Sequence, residues 1–399
     1  MGSIDTSEKV ANGINGTNGK VNNWQTPGPA AFDFRSDTIT TPTASMLEAI
    51  IHTTLMDDVY REDSTTNSLQ SHIASLTGHE DALLMMSGTM GNQVALRSHL
   101  MQPPHAVLCD YRGHILEWEA GGVATLSAAL VKGVVPSNGK YLTLEDIKRS
   151  VVISDDIHSC PTRVISLENT LGGVIMPLEE TRRISEFARA NGIKMHLDGA
   201  RLWEVVAAGA GSLTDFAQCF DSVQLCFSKG LCAPIGSILV GSKSFIKHAC
   251  WIRKSIGGGI RQAGIISAAA RVAVDEGFGN GPNGEGGHLV ESHKKAKRIA
   301  ATWVAKGGKL GKPTETNMVW FDLAAADVTV HQFIGIAKRW GIKVMGGRLV
   351  VHRQISEEAI SLLEKVMDDV LSDDPAIKAA NSVPEGEKIV APCVEYNLY

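Results

Sequence analysis

The chain has 399 residues, of which 44% are hydrophobic and 20% charged, and this is the composition of a globular protein with room for two domains. The formal net charge of −5 argues against the broad basic surface of a nucleic-acid-binding protein. No uninterrupted apolar run reaches the about 20 residues that a membrane span needs, so the sequence predicts no contact with a membrane.

The first segment, residues 1–31, is rich in Gly, Asn, Ser and Thr and has no apolar signal core. We therefore expect a disordered leader rather than a secretory signal. The seven cysteines form no CxxC pair, and their odd number favours free thiols in the reducing cytoplasm. A cytoplasmic protein is the resulting prediction.

Residues 32–276 alternate short apolar runs with longer helical stretches. This pattern predicts a large domain of the α/β class with a mainly parallel sheet. The predicted strands are 106–109, 163–167, 193–197, 222–227 and 237–240. Between the second and the third of them, a helical pattern begins at Pro177 and ends before Gly192, which predicts a strand–helix–strand unit.

Residues 277–287 form a glycine-rich segment that marks the predicted domain boundary. Beyond it the pattern predicts a helix over 288–306, strands over 318–323, 342–345 and 349–351, and a helix over 356–371. These elements make a small α+β domain over residues 277–372. Periodicity is lost over residues 373–399, where we expect a C-terminal tail.

Three predicted strands end in unusual polar residues, namely Glu168, Asp198 and Lys229. Ligands of open α/β sheets gather at the carboxyl ends of the strands, so Asp198 and Lys229 are expected to face one cleft. Pyridoxal 5′-phosphate requires a lysine that forms a Schiff base and an acid that keeps the pyridine nitrogen protonated. Taken singly, a lysine after a strand is usually a surface residue, and an aspartate there is more often a helix cap.

A candidate phosphate site lies where an apolar run meets Ser87-Gly88-Thr89 at the predicted start of a helix. Backbone N–H groups at a helix start bind phosphate well, but the same three residues also serve as an ordinary N-cap. His114 follows another strand end, where it either stacks on a flat ring or is a satisfied loop residue. No metal site is predicted.

Eight motifs, in this order, resemble the motif series of low-specificity threonine aldolases. They are Phe34-Arg35-Ser36-Asp37-Thr38, Asp57-Asp58-Val59-Tyr60, Ser87-Gly88-Thr89, Glu119-Ala120-Gly121-Gly122, Ser166-Leu167-Glu168-Asn169-Thr170, His196-Leu197-Asp198-Gly199-Ala200-Arg201, Ser228-Lys229-Gly230 and Gly257-Gly258-Gly259-Ile260-Arg261-Gln262. The resemblance runs from about residue 32 to residue 351 and is greatest to the fungal branch, which also includes alanine racemases.

The resemblance implies the type I fold of pyridoxal 5′-phosphate enzymes, the aspartate aminotransferase-like fold, in a homodimer or homotetramer with shared active sites. It implies that Lys229 carries the cofactor, Asp198 holds its pyridine nitrogen and His114 stacks on its ring. His158 matches a second histidine near the substrate hydroxyl. The other implied cofactor-binding residues are Ser87, Gly88, Thr89, Glu168, Arg201 and Ser228, with Lys254 and Arg261 reaching from a neighbouring subunit. The implied substrate-binding residues are Ser36, Arg61, Arg201 and Arg348.

The sequence departs from the family pattern at three positions. Arg61 stands where members usually have Gly, Ser64 stands where Pro is common, and Leu171 replaces the histidine of the bacterial Glu-Asn-Thr-His. Arg61 bears on substrate choice if it faces the active site, and it has no such role if its side chain points to solvent.

Three functions compete on this evidence. The first is cleavage of L-threonine or L-allo-threonine to glycine and an aldehyde, with His114 or His158 as the base. The second is racemisation of alanine, as in the fungal relatives that serve peptide synthesis, and Arg61 is the reason to retain it. The third is a non-catalytic binding protein, against which the intact Lys229 and Asp198 argue.

Overall fold

The computed structural model describes residues 28–281 and 283–374 of the chain. The predicted leader and tail therefore lie outside the described residues, apart from 28–31 and 373–374. Ala30 and Ala31 are buried, so the packed part of the chain includes residues that the sequence assigned to the leader. In the described ranges, no helix combines the length and the apolar composition needed to span a bilayer.

Helices and strands alternate over most of the chain. The helices are α1 (Ala44–Ile51), α2 (Ser64–Thr77), α3 (Gly88–His99), α4 (His114–Glu117), α5 (Gly122–Ser127), α6 (Leu144–Ser150), α7 (Leu178–Ala190), α8 (Leu202–Ala207), α9 (Leu213–Ala217), α10 (Lys243–Ser255), α11 (Gly264–Ala273), α12 (Leu289–Ala305), α13 (Val330–Arg339) and α14 (Glu357–Leu371). The strands are β1 (Asp81–Met85), β2 (Ala106–Asp110), β3 (Leu130–Val134), β4 (Thr162–Glu168), β5 (Lys194–Asp198), β6 (Ser222–Cys226), β7 (Ser237–Gly241), β8 (Gly279–Asn280), β9 (Glu285–Gly286), β10 (Leu310–Lys312), β11 (Met318–Phe321) and β12 (Arg348–Val350).

Local chemistry accounts for where many of these helices begin. A Ser, Thr or Asp side chain precedes them and accepts a backbone N–H of the first turn, which satisfies one of the donors left free at a helix start. These caps are Thr43, Asp63, Ser87, Thr143, Ser212, Ser242, Thr329 and Ser356. Helix α7 begins directly after Pro177, as its sequence predicts.

Seven strands form the central sheet, in the order β1-β7-β6-β5-β4-β2-β3. Only β7 runs against its neighbours, so β1 to β6 share one direction and their carboxyl ends lie along one edge. Every residue of β2, β6 and β7 is buried, as expected for a sheet covered on both faces. The edge at which β1 to β6 end is called the carboxyl edge below.

A second apolar core lies in the C-terminal part, where helices α12 to α14 pack with the sheet β10-β11-β12. Phe34 is fully buried in this core, and its backbone binds Lys343 O at 2.8 Å and Val350 N at 2.9 Å. The sequence assigned Phe34 to the large domain, but the structure packs it with the small one. The strand predicted over 342–345 is reduced to a single bridge between Lys343 and Asp33.

Candidate active site

Two carboxylates stand side by side at the carboxyl edge. Glu168 and Asp198 are register partners at the ends of β4 and β5. Asp198 is buried, its Oδ2 accepts a hydrogen bond from Asn92 Nδ2 at 2.7 Å, and its Oδ1 accepts one from Ala200 N at 3.1 Å. The sequence predicted Asp198 at this edge but contained no direct signal for Asn92, which lies 106 residues away on α3.

Lys229 lies in the loop after β6, half-buried beside the same edge. Its backbone carbonyl accepts hydrogen bonds from Cys232 N at 2.8 Å and Thr40 Oγ1 at 3.2 Å, which hold the loop. The loop turns tightly because Gly230 follows: a Cβ there would lie 2.3 Å from Glu204 Oε1. The Lys229 ammonium is close enough to lower the pKa of Glu168 electrostatically, so the two groups share one cleft.

The surroundings of Glu168 favour the protonated form of its carboxyl group. Burial, followed by repulsion from the Asp198 carboxylate, raises the pKa of Glu168 to about 7, although the N–H of His114 and the charge of Lys229 oppose the shift. The His114 N–H is donated to Oε2 at 2.9 Å. The other oxygen, Oε1, is therefore available to hold or release a proton near neutral pH.

His114 is paired with a buried carboxylate. Its Nδ1 lies 2.8 Å from Glu119 Oε1, and the Glu119 side chain is fully buried. Burial disfavours the imidazolium, but the hydrogen bond to Glu119 and the charges of Asp198 and Glu168 prevail and raise the pKa of His114. Because Nδ1 donates to Glu119, the neutral ring keeps Nε2 free to accept a proton.

Arg201 forms a bidentate ion pair with the buried Asp37, through Nε at 2.8 Å and Nη2 at 2.5 Å. Burial of Asp37 opposes its charge, but Arg201 prevails and lowers the pKa of that carboxyl. Asp37 follows Ser36, and Arg201 follows the strand that ends at Asp198. The pair therefore ties the N-terminal segment to the carboxyl edge.

The predicted phosphate cradle is the start of α3. Ser87 caps this helix by accepting the N–H of Met90 at 3.1 Å. At Gly88 a Cβ would lie 2.8 Å from Cys226 Sγ, so only glycine lets the helix start come this close to β6. Thr89 and Ser228 are half-buried in the same region, after β1 and β6. The N–H groups of the first turn, which have no helical partner, thus lie at the carboxyl edge next to the Lys229 loop.

Arg348 is brought beside the segment that carries Ser36, although the two are far apart in sequence. Val350 N donates to Phe34 O at 2.9 Å, and Arg348 Nη2 lies 3.4 Å from Arg35 O. Arg348 thus stands beside the segment that carries Ser36. A guanidinium binds a carboxylate with two hydrogen bonds, and a carboxylate clamp formed by Ser36 and Arg348 stays a prediction.

His158 is not brought to this group of residues within one chain. It lies in an exposed turn before β4, with its Nδ1 at 2.8 Å from Asp156 Oδ1. Strand β4 runs from Thr162 to Glu168, and at about 3.3 Å per residue His158 is about 20 Å from the carboxyl edge. The expectation that His158 stands near the substrate hydroxyl therefore has no support from this chain alone.

Arg61 also points away from the carboxyl edge. Its Nη2 lies 3.3 Å from Asp81 Oδ2, and Asp81 is the first residue of β1, at the opposite end from Ser87. Its backbone is left-handed, with φ of 58°, a conformation that favours glycine. The left-handed backbone thus explains why glycine is usual at this position in the family, independently of substrate choice.

Lys254 and Arg261 are exposed at the surface of the chain. Arg261 Nη1 donates to Asp57 Oδ2 at 2.9 Å, and Asp57 is bridged to Gln262. Arg261 is thus paired with Asp57 of its own chain, and a role of the two cations in a neighbouring subunit stays a prediction.

Three groups of the site are also spaced as metal ligands would be. The ligand atoms of His114, Glu119 and Asp198 all lie within 4.8 Å of one another. Asn92 Nδ2 donates to both carboxylates, at 2.8 Å and 2.7 Å. An N–H donor directed at both carboxylates takes up lone pairs that a cation would need, so the cluster is better explained as a hydrogen-bonded acid–base group.

A family model described as beta-eliminating lyase matches residues 33–326. The chain belongs to this family. It is 55% identical to aldolase vrtJ of Penicillium aethiopicum over 92% of this chain and 93% of that one. It is 47% identical to the low-specificity L-threonine aldolase of Candida albicans, over 85% and 90%, and 45% identical to alanine racemase TOXG of Cochliobolus carbonum, over 90% and 92%.

Among solved structures, the chain resembles the Leishmania major threonine aldolase with a TM-score of 0.72 at 19% identity, over 86% of this chain and 100% of that one. This likeness concerns the fold. The family and the type I α/β fold predicted from the motif series are both confirmed.

Proposed function

We propose that this protein is a pyridoxal 5′-phosphate enzyme that cleaves L-threonine and L-allo-threonine to glycine and an aldehyde. The observation that carries the proposal is the convergence of Lys229, Asp198 and the His114–Glu119 pair at one sheet edge. The similarity to aldolase vrtJ and to the threonine aldolase of Candida albicans supports it.

The residues at the carboxyl edge fit the cofactor. Lys229 would hold it covalently, the buried Asp198 carboxylate would accept its pyridine N–H, and the start of α3 at Gly88 and Thr89 would bind its phosphate, with Ser228 beside it. Arg201, fixed by Asp37, would stand next to the ring. When bound, pyridoxal 5′-phosphate withdraws electrons from the substrate's Cα.

His114 is the base that we assign to the β-hydroxyl proton. Its Nδ1 is engaged by Glu119, so its Nε2 is the atom that accepts the proton. Glu119 stabilises the imidazolium that forms, in the way that a carboxylate supports a catalytic histidine in other enzymes. Glu168 Oε1 is a second group able to exchange a proton near neutral pH, because burial and Asp198 raise the pKa of Glu168 to about 7.

Ser36 and Arg348 would bind the substrate carboxylate from the small-domain side. Their position beside Asp37, which binds Arg201, supports a carboxylate site next to the ring site. Such a contact would orient the substrate and so select which of its Cα bonds reacts, and a preference of about 1.4 kcal/mol between two bonds already changes a rate tenfold.

Racemisation of alanine is the second candidate, and its support is the similarity to alanine racemase TOXG, which is as extensive as that to the threonine aldolases. Two assays on one enzyme preparation distinguish threonine cleavage from alanine racemisation. Acetaldehyde and glycine are measured from L-threonine and L-allo-threonine, and deuterated D-alanine is measured from L-alanine in heavy water. We expect cleavage to be much the faster reaction, and the opposite ratio would establish the racemase.

We further propose that the active sites are shared between subunits of a homodimer or homotetramer. Arg261 and Lys254 lie among exposed apolar side chains of the adjoining segments, and such a patch favours association. These side chains are Leu55, Met56, Tyr60 and Trp251.

Subunit complementation tests the shared site. Lys229→Ala and Arg261→Ala subunits are each expected to be inactive or weak alone. If Arg261 serves the neighbouring site, equal mixing should restore about a quarter of the wild-type activity, because half of the dimers are mixed and each has one intact site. A fully active monomer in sedimentation would exclude the arrangement.

We also propose a cytoplasmic location. It is supported by the free thiols of the six cysteines in the described ranges, which suit a reducing compartment.

A further inference from the structure

A continuous line of hydrogen-bonded side chains begins at Asp198, at the carboxyl edge of the central sheet. It ends near Ser222, at the opposite end of the strands. Asn92 Nδ2 donates to Asp198 Oδ2 at 2.7 Å, and Asn92 Oδ1 lies 3.1 Å from His196 Nε2. His196 Nδ1 lies 2.8 Å from Ser222 Oγ, which in turn lies 2.7 Å from His99 Nε2. We call Asn92, His196, Ser222 and His99 the Asp198 relay.

The relay is closed to water over most of its length. Asn92 is 1% exposed, and His196 and Ser222 are fully buried. Buried polar groups need partners inside the protein, so each hydrogen bond of the relay must be made in one defined direction. That direction follows from the chemistry of the groups.

Asn92 decides the direction at one end. Its amide nitrogen faces the carboxylates of both Asp198 and Glu119, at 2.7 Å and 2.8 Å. The reversed amide would place an oxygen against two carboxylates, so the nitrogen must be the donor and the oxygen must face His196. An amide oxygen only accepts, and therefore His196 Nε2 carries the hydrogen.

The direction of the first hydrogen bond determines the direction of the others in the relay. Burial lowers the pKa of His196 to about 4, so the ring is neutral and its Nδ1 is an acceptor. The Ser222 hydroxyl must donate to that nitrogen, which leaves its oxygen to accept from His99 Nε2. Burial likewise lowers the pKa of His99 to about 3, so His99 donates as a neutral ring. Every donor of the relay thus points toward Asp198.

We propose that the Asp198 relay is a positioning device that fixes the orientation of the Asp198 carboxylate for the cofactor nitrogen, with Asn92 coupling it to the Glu119–His114 pair. Hydrogen bonds that run in one direction polarise one another, and donation to a carboxylate favours its charged form. The cofactor part of this inference rests on the proposed function.

Asn92 links the two acids of the site, because its one amide nitrogen donates a hydrogen bond to each of them. It holds Asp198, which we assign to the pyridine nitrogen, and Glu119, which binds His114 Nδ1 at 2.8 Å. A shift of this side chain would move the acid on one side of the site and the histidine on the other. Asn92, His196, Ser222 and His99 were all outside the residues predicted for the site.

The tautomer of His196 tests the relay directly in the holoenzyme. Protein labelled with ¹⁵N-histidine is compared with the His196→Gln variant, which identifies the His196 signals. We expect a neutral ring with a pyrrole-type Nε2 and a pyridine-type Nδ1 at pH 7. A hydrogen on Nδ1, or a charged ring, overturns the proposed direction. This readout does not depend on which reaction the enzyme catalyses.

Ser222→Ala tests the function of the relay without touching the cofactor site. We expect the dissociation constant for pyridoxal 5′-phosphate to rise about 3- to 10-fold, which corresponds to one lost hydrogen bond, and kcat to fall with little change in KM. Ser185→Ala is the matched control, because it removes another buried hydroxyl, which donates to Cys219 O at 2.6 Å, outside the relay.

The outcomes separate the relay from the proposed function. Equal cofactor affinity and kcat in Ser222→Ala and Ser185→Ala, with an active wild-type enzyme, overturn the relay alone. A wild-type protein that binds no pyridoxal 5′-phosphate overturns the proposed function, while the His196 tautomer still decides the direction of the hydrogen bonds. His196→Gln, which keeps a donor toward Asn92, should retain more cofactor affinity than His196→Leu, and the reverse order contradicts the relay.

Discussion

Glu168 and Asp198 are direct partners across β4 and β5, so two carboxyl groups end side by side at the carboxyl edge. Two like charges this close cannot both ionise freely, and the structure resolves the conflict asymmetrically. Asp198 receives the Asn92 amide, whereas burial and repulsion from Asp198 raise the pKa of Glu168 to about 7. Asp198 is thus held by a hydrogen-bond donor, and Glu168 is suited to exchange a proton near neutral pH.

The raised pKa of Glu168 predicts that the stability of the folded protein depends on pH. Because folding raises the pKa of Glu168 from 4.5 to about 7, the folded protein binds this proton more tightly than the unfolded chain. Stability from this group is therefore lost as the pH rises from about 4.5 to 7, by an amount on the order of 1–3 kcal/mol. Glu168→Gln should match the wild-type apoenzyme near pH 4.5 and be more stable above pH 7. Thermal unfolding midpoints across this range measure it, and the exposed Glu358→Gln should follow the wild type throughout.

Lys229→Ala should abolish covalent attachment of the cofactor. The wild-type protein is expected to be yellow, and borohydride reduction should fix the cofactor to the peptide that contains Lys229, as read by mass spectrometry. Lys294→Ala, which removes an exposed lysine of α12 paired with Glu291, should leave the visible band intact. Cofactor fixed to a lysine other than Lys229 would refute the assignment.

Asp37→Asn should destabilise the protein strongly. The substitution leaves the Arg201 guanidinium buried without its charged partner, and breaking a buried ion pair in this way costs about 3–5 kcal/mol. Removing the exposed pair of Arg182 with Asp215 by Arg182→Ala should cost less than about 1 kcal/mol. Denaturant unfolding of the three proteins measures both. Equal losses in the two variants would show that the Asp37–Arg201 pair contributes no more than a surface contact.

Arg61→Gly should stabilise the chain relative to Arg61→Ala. Both variants lose the contact with Asp81, but only glycine relieves the left-handed backbone at φ 58°, a difference of about 1 kcal/mol. Since the Arg61 side chain lies at the opposite end of β1 from the carboxyl edge, the ratio of threonine cleavage to alanine racemisation should be the same in both variants and in the wild type. A changed ratio would show that Arg61 acts on substrate choice, as the family resemblance allows.

Much of the site was predictable because its signals are local. A polar residue directly after a buried apolar run marks the end of a strand, and parallel strands end at one edge, so Asp198 and Lys229 could be placed together from spacing alone. The cap at Ser87 and the helix after Pro177 follow from short-range hydrogen bonding and proline geometry in the same way. The order of the motifs then identified the family.

Other parts depended on contacts between residues far apart in the chain. Strand β3 was not among the predicted strands, and it lies at the edge of the sheet with only its last residue buried, so it lacks the continuous buried apolar run of the central strands. From the sequence, Phe34 was assigned to the large domain. In the structure its backbone is hydrogen-bonded to residues 343 and 350, and its side chain is buried in the second core. The role of His158 was implied by the family resemblance alone, although the strand predicted over 163–167 already put residue 158 before the amino end of that strand.

The sequence by itself determined the family and the α/β class, and it singled out the lysine and the aspartate that we propose for the cofactor, because these depend on local pattern and on motif order. Only the tertiary structure decided which groups surround them. Asn92 reaches Asp198 across 106 residues, and Arg201 reaches Asp37 across 164. The protonation of Glu168 and the direction of the Asp198 relay follow from burial and from neighbours that folding brings together, and neither is present in the unfolded chain.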